Sequence, residues 1–211
     1  MLYLNQLDYP HIPYITRTEL SPEEQEYGKT TTIKTSGCGL CSAVMVAHLL
    51  LPNCTFTLED ALQLAYDTQA NVRIGTRYMR FGPVFAEKMG LVMETTNDPQ
   101  EVLRCLRTGG AVVANSGGDR EGHIGVFTHS GHYVVAFAEE PDGRIAILDP
   151  SYRPGKYDEE GRQGLVEMKH GFIALCTMET LAADCANRDP AYFLFHRAQD
   201  HNVNLKFTTI I

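Results

Sequence analysis

Apolar residues recur at helical spacing through the first half of this 211-residue chain. The clearest run predicts a helix from Gly39 to Leu51, with Pro52 beyond its end. Residues 1–37 show no such pattern, which predicts a mostly irregular lead-in. Weaker runs of the same period predict three further helices, in residues 57–70, Gly82–Met89 and Asn97–Thr108. In the first of these, Thr57 and Asp60 stand in capping-box positions, with Asp in place of the usual Glu.

The second half of the chain carries short β-rich runs separated by turn residues. Helices followed by strands indicate an α+β fold, in which an N-terminal helical layer packs on an antiparallel sheet. The chain has no internal repeat, low-complexity tract or Pro/Gly/Ser linker, so we predict a single domain over residues 1–211. The predicted strands are AVVANS, HYVVAFAE, RIAILDP, GLVEMK, GFIALCT and AYFLFHR.

Composition excludes several classes of function. Hydrophobic residues make up 44% and charged residues 21%, as in an ordinary soluble protein. The net charge is -8 and the Lys and Arg residues are scattered, which argues against a nucleic-acid partner and against a membrane surface. No apolar run approaches the ~20 residues of a membrane span. The start, MLYLNQLDYPHIPY, lacks the features of a signal peptide, so we expect a cytoplasmic protein.

One of the six cysteines has an unusual setting. In TSGCGLCSAVMVAHLL, Cys38 stands between two glycines at the N-terminus of the first predicted helix. Unpaired N–H groups and a partial positive charge at that end favour a thiolate, and the glycines would let a substrate approach the backbone. Cys38 is therefore a candidate nucleophile. Cys41, one turn further on, is predicted as a core thiol, with a redox partner of Cys38 as the alternative.

A nucleophilic thiol needs a base and a group that orients the base, and the stretch GHYVVAFAEEPDGRIAILDP supplies both. His132 opens one strand and Asp149 ends the next. A hairpin centred between Pro141 and Asp142, or one residue earlier, puts both side chains on one face, whereas a centre on a residue separates them. On one face, Asp149 can accept a hydrogen bond from one imidazole nitrogen, which leaves the other to take a proton from Cys38.

Three motifs together, NQLDYPHIPY, SGCGLCSAVMVAHLL and SGHYVVAFAEEPDGRIAILDP, carry a family resemblance. The chain resembles the bacterial papain-like cysteine peptidases related to the double-glycine-leader (bacteriocin-processing) peptidases, in a stand-alone form. The order Gln6, Cys38, His132, Asp149 matches, and the likeness runs from about Gln6 to Tyr192. The resemblance implies a papain-like fold and hydrolysis of a peptide or protein substrate through a thioester. It also implies that Gln6 helps to bind the oxyanion.

The chain also departs from that family, and two other functions stay open. The excursion from Ile15 to Thr31 is longer than the family's short link and is predicted to form a flap beside the cleft. Cys41 replaces a small residue. One alternative is a thiol–disulfide oxidoreductase that uses the CGLC pair, and the other is a non-catalytic peptide-binding relative. The oligomeric state is not indicated by any pattern.

Three histidines in GHIGVFTHSGH form a pattern that could be read as a metal site. His123, His129 and His132 have only Glu121 as an acidic neighbour and no H-E-x-x-H spacing, so we predict no metal and no cofactor. The Gly-rich stretch NSGGDREGH is predicted as a mobile loop at the edge of the cleft. Three residues near the third helix are predicted to lie in the core: Tyr78, Met79 and Phe81.

Overall fold

The computed structural model describes residues 1–15, 26, 29–71 and 75–198. Its helices are α1 (Ile33–Ser36), α2 (Cys38–Leu50), α3 (Leu58–Asp67), α4 (Tyr78–Met89), α5 (Pro99–Arg107) and α6 (Met178–Cys185). Its strands are β1 (Leu91–Thr96), β2 (Ala111–Ser116), β3 (His132–Glu139), β4 (Ile145–Leu148), β5 (Glu167–Lys169), β6 (Ile173–Cys176) and β7 (Tyr192–Arg197). Most of the predicted flap between Ile15 and Thr31 lies outside the described residues.

Three of the four predicted helices lie within three residues of their predicted bounds, at α2, α3 and α5. The capping box of α3 forms as predicted, because Thr57 Oγ1 accepts from the backbone N–H of Asp60 at 3.1 Å and Asp60 Oδ2 accepts from Thr57 N at 2.9 Å. Most of the described residues in the lead-in have no regular structure, and the exceptions include a 3₁₀ turn, Gln6–Asp8, and the short α1.

The predicted bounds of the third helix were wrong, because α4 begins four residues earlier, at Tyr78. Tyr78, Phe81 and Phe85 share one buried face at helical spacing, which continues the helix upstream of Gly82. Met79 lies one position round from that face. It is 51% exposed, so its prediction as a core residue was also wrong.

All seven strands of the described chain join one antiparallel sheet in the order β1-β7-β2-β3-β4-β6-β5. The α+β class is therefore confirmed. The sequence analysis missed β1 and α6. The first pairs with β7 from the far end of the chain, and the second is a short helix capped by Thr177, so neither has a strong local signal.

Helices cover both faces of the sheet rather than one, which corrects the predicted two-layer arrangement. The residues of α2, α3 and α4 pack in a core on one face, and α5 and α6 pack in a second core on the other. Along β2 the two cores alternate, since Val113 belongs to the first and Val112 to the second. Helix α2 is buried on almost all sides, so its position against the sheet is fixed. Among the described helices, none is long and apolar enough to cross a bilayer.

The Gly-rich segment after β2 is fastened by a buried carboxylate. Asp184 of α6 is fully buried and accepts hydrogen bonds from the backbone N–H groups of Val126 at 2.7 Å and Phe127 at 3.1 Å. Its carboxylate also contacts Ser116 Oγ and His123 Nε2. These buried contacts do not support the predicted mobility of this segment, because mobile loops have few of them.

Asp184→Ala tests the importance of this contact. The variant leaves two buried backbone N–H groups without an acceptor, so we expect a loss of about 3 kcal/mol in the free energy of unfolding. Asp142→Ala is the matched control, because Asp142 is 52% exposed and pairs with Arg144 at the surface. Urea unfolding measures both. An equal, small effect of the two substitutions would contradict the structural role of Asp184.

Candidate active site

Cys38 is the first residue of α2, as the sequence predicts, and its two flanking glycines are explained by close packing. A Cβ on Gly39 would lie 2.9 Å from Thr76 Cβ and 3.3 Å from Tyr133 Cδ2, and one on Gly37 would lie 2.6 Å from Ile33 O. The glycines therefore let α2 approach its own neighbours in the fold. This differs from the prediction that they leave room for a substrate.

The hairpin that carries the candidate base contains a change of register. Near the turn, Ala138 pairs with Ala146, a register centred on Asp142, which by itself would put His132 and Asp149 on different faces. A β-bulge between Ala136 and Ala138 shifts the pairing, so that Ala136 pairs with Ile147. The register beyond the bulge is centred between residues 141 and 142, which is one of the two registers predicted to put both side chains on one face.

His132 and Asp149 are brought together as predicted. His132 Nε2 lies 2.7 Å from Asp149 Oδ1, and both residues are almost fully buried. The oxygens of an ionised carboxylate can only accept hydrogen bonds, so Nε2 of His132 carries the proton in this contact. The other ring nitrogen, Nδ1, is left for the thiol of Cys38. Ser151 Oγ also lies 2.9 Å from His132 Nε2.

Two further residues hold Asp149, and neither was identified from the sequence. Lys156 Nζ donates to Asp149 Oδ2 and to Ser151 Oγ, the latter at 2.8 Å, and Tyr157 OH donates to Oδ2 at 2.6 Å. Lys156 is only 5% exposed. Both follow the Asp-Pro turn in an irregular segment, where no periodicity marks a buried side chain. A lysine and a tyrosine within ten residues of a candidate acid are the only signal.

The environment of the thiol favours its ionised form. Burial by itself would raise the pKa of Cys38, but a hydrogen bond from His132 and the charge of that imidazole hold the pKa below its ordinary value. Backbone hydrogen bonds from Tyr133 and Gly39 act in the same direction. The N-terminus of α2 thus supplies stabilisation of a thiolate, as the sequence predicts.

The imidazole shows the complementary shift. Burial by itself would lower the pKa of His132, but the charge and hydrogen bond of Asp149 and the contact with Cys38 raise it above its ordinary value. Burial would also raise the pKa of Asp149, yet the charges of Lys156 and His132 hold that pKa well below its usual range. Cys38, His132 and Asp149 therefore form a connected chain of thiol, imidazole and carboxylate.

Gln6 is buried beside α1. The N-terminal segment is fastened to the Asp-Pro turn, because Gln6 N donates to Pro150 O at 2.6 Å and Tyr3 OH donates to Asp149 O at 2.8 Å. The side-chain Nε2 of Gln6 donates to Lys34 O at 2.7 Å. A carbonyl can only accept, so this contact fixes which end of the amide is the NH₂ group, and its second N–H is available for another acceptor.

Cys41 is a core thiol. Its side chain is fully buried among apolar residues, and burial together with the neighbouring Cys38 raises its pKa well above the usual range. All six cysteines are free thiols. A resolving cysteine has to be accessible to the disulfide that it attacks, and it has to attack as a thiolate. The burial of Cys41 disfavours access, and its raised pKa disfavours the thiolate.

Cys38 and His132 both line one open cleft of about 630 Å³. Its lining includes Thr76 and Arg77, from the segment before α4, and residues 188–190 of the loop before β7. The 115–131 segment reaches the cleft at its two ends, through Asn115, Ser130 and Gly131. A cleft of this size can accommodate a few residues of an extended peptide.

The other two histidines of the GHIGVFTHSGH stretch contact separate partners. His123 Nε2 contacts Asp184 at 2.9 Å, and His129 Nδ1 contacts Asp119 at 2.9 Å. Among the described residues, no three His, Cys, Asp or Glu side chains converge in an arrangement that could hold a metal.

Comparison with known proteins does not assign the chain to a family. No protein-family model matches the chain, and no curated protein has a significantly similar sequence.

Lys156→Met tests the buried ion pair at Asp149. The substitution keeps much of the side-chain volume but leaves a buried carboxylate without its cation, so we expect the free energy of unfolding to fall by about 3 kcal/mol. Lys169→Met is the matched control. Its ion pair with Glu140 is partly exposed, and its loss should cost less than about 1 kcal/mol. Chemical denaturation distinguishes the two, and equal losses would contradict the structural account of Lys156.

Proposed function

We propose that the protein is a cysteine hydrolase that cleaves a peptide or amide bond, with Cys38 as nucleophile, His132 as general base and acid, and Asp149 as the group that orients His132. The observation that carries the proposal is the imidazole of His132, which contacts the carboxylate of Asp149 through Nε2 and the thiol of Cys38 on its other side. An open cleft leads to this pair.

The reaction follows from the protonation states that the site favours. The thiolate of Cys38 attacks the carbonyl carbon, and a C–S bond forms. The imidazolium of His132 gives its proton to the leaving nitrogen as the C–N bond breaks, which leaves a thioester. Water then attacks the thioester and His132 takes its proton. The C–S bond breaks, and the carboxylic acid leaves with the thiolate restored.

Two donors are proposed for the oxyanion that forms in both steps. One is the backbone N–H of Cys38, in the first turn of α2, where N–H groups have no partner within the helix. The other is the second N–H of the Gln6 side chain, whose first N–H is held by Lys34. The α+β architecture with α2 packed on the sheet is compatible with a papain-like fold, which we include in the proposal.

The burial of Cys41 favours the hydrolase over a thiol–disulfide oxidoreductase. In a hydrolase, Cys41→Ala should leave turnover nearly unchanged. A thiol–disulfide oxidoreductase would lose its activity when either Cys38 or Cys41 is substituted. A non-catalytic peptide-binding relative would not need the raised pKa of a histidine held between a thiol and a carboxylate.

His132→Ala should lower turnover more than Gln6→Ala does. A general base contributes ~10²–10⁴-fold, and His132→Ala should cut kcat toward the upper end of that range. Gln6→Ala should cost less, because the backbone N–H of Cys38 still stabilises the oxyanion. Cleavage of a defined pool of synthetic peptides, followed by mass spectrometry, measures both. Gln63→Ala, an exposed glutamine of α3, is the control and should have no effect. The reverse ranking would contradict the assigned roles.

The pH profile of kcat/KM should be bell-shaped. The active ion pair needs Cys38 deprotonated and His132 protonated, and the pKa of Cys38 is lowered while that of His132 is raised. Activity should therefore fall toward acid as the thiolate gains a proton, and fall toward alkali as the imidazolium loses one. A rate that only rises through pH 8–9, as for an ordinary thiol, would contradict the ion pair.

A further inference from the structure

Arg188 lies in the loop between α6 and β7, on the wall of the cleft that contains Cys38 and His132. Its backbone N–H donates to Cys185 O at 3.0 Å, which positions the backbone of Arg188 at the C-terminal end of α6. Its Nη2 lies 2.8 Å from where a Cβ of residue 131 would be, so the guanidinium lies close against the backbone of Gly131. The charge of Arg188 therefore lies next to the residue that precedes the candidate base.

The guanidinium of Arg188 has little to neutralise it. Its Nη2 makes one long contact, 3.4 Å, with the carbonyl of Gly117, and its Nε is buried with no hydrogen-bond partner among the described residues. None of the carboxylates in the described chain forms an ion pair with it. The neighbouring Asp189 instead accepts from the side chain of Asn97 at 3.0 Å.

The charge of the cleft also differs from that of the whole molecule. The chain has a net charge of -8, yet among the described residues the fixed charges that line the cleft are those of Arg77, Arg188 and Asp189. A cation in a concave site with a partly buried guanidinium attracts an anion more strongly than one on an open surface. A planar guanidinium also matches a carboxylate in geometry.

We propose that Arg188 forms an anion-binding subsite, which binds a carboxylate of the substrate close to the bond that is cleaved. The proposed substrates are peptides with an acidic side chain near that bond or with a free C-terminal carboxylate. This inference rests on the proposed hydrolase activity for its role in specificity. The binding of a carboxylate beside Cys38 does not require turnover.

The main experiment is cleavage of a synthetic peptide pool by the wild-type protein and by Arg188→Gln. The pool contains matched peptides with Glu or Gln near the centre, each with a free or an amidated C-terminus. The wild type should cleave carboxylate-bearing peptides about 10–100-fold faster than their amides, as one charge-assisted hydrogen bond predicts, and Arg188→Gln should lose the preference. A preference for Glu identifies a side-chain subsite, and a preference for free C-termini identifies a terminal one.

Arg188→Lys and Arg104→Gln are the matched variants. The first keeps the positive charge and should retain part of the preference, while the second removes the same charge from the exposed surface of α5 and should change nothing. Equal cleavage of acids and amides by the wild type would overturn the subsite and leave the hydrolase intact. So would a preference that survives in Arg188→Gln.

A labelling experiment separates failure of the subsite from failure of the proposed function. Iodoacetate and iodoacetamide differ by one carboxylate, and both alkylate thiolates. For Cys38, the rate of labelling by iodoacetate divided by the rate by iodoacetamide should fall about fivefold in Arg188→Gln. The rate with iodoacetamide should stay constant. This result supports the subsite even if no peptide is cleaved. An unchanged ratio would overturn the subsite alone. The absence of labelling at Cys38 by either reagent would overturn the proposed function, and with it the role of Arg188 in specificity.

Discussion

A carboxylate that is removed from water must be surrounded by donors, and the candidate site is arranged around one such group. Asp149 is only 1% exposed and accepts hydrogen bonds from His132, Lys156 and Tyr157. Its backbone carbonyl accepts from Tyr3. Because an unpaired buried charge is very unfavourable, the sheet, the N-terminal segment and the loop after β4 have to meet at this point. The orientation of the imidazole is a consequence of that requirement.

The thiol reaches the imidazole through packing constraints in other parts of the molecule. Helix α2 is enclosed by one core of the sheet and by its neighbouring helices, and Gly39 lets it lie against Thr76 and Tyr133. The β-bulge between Ala136 and Ala138 sets which face of the hairpin His132 occupies. A thiol on a buried helix and an imidazole on a buried strand have little freedom to move apart, so the pair is preorganised.

Local signals explain what could be predicted from the sequence. The apolar run after Cys38 and the alternation from His132 to Glu139 predict α2 and β3, and the Asp-Pro end of a strand predicts the position of Asp149. The register at His132 was predicted, but the bulge that produces it was not, since a bulge depends on pairing with β4. Strand β1 depends in the same way on a partner about 100 residues away. Lys156 lies in an irregular segment, where burial leaves no periodic trace.

The ionisation of Cys38 by His132 is the central claim, and alkylation of Cys38 as a function of pH tests it most directly. The native protein and His132→Ala would be treated with limiting iodoacetamide between about pH 5.5 and 8, and the labelled residues identified by mass spectrometry. At the acid end an ordinary thiol, with a pKa of about 8.5, is almost entirely protonated and reacts slowly. The account predicts selective labelling of Cys38 at that pH, and its loss in His132→Ala. Labelling that is the same in both proteins, or no preference for Cys38, would contradict it.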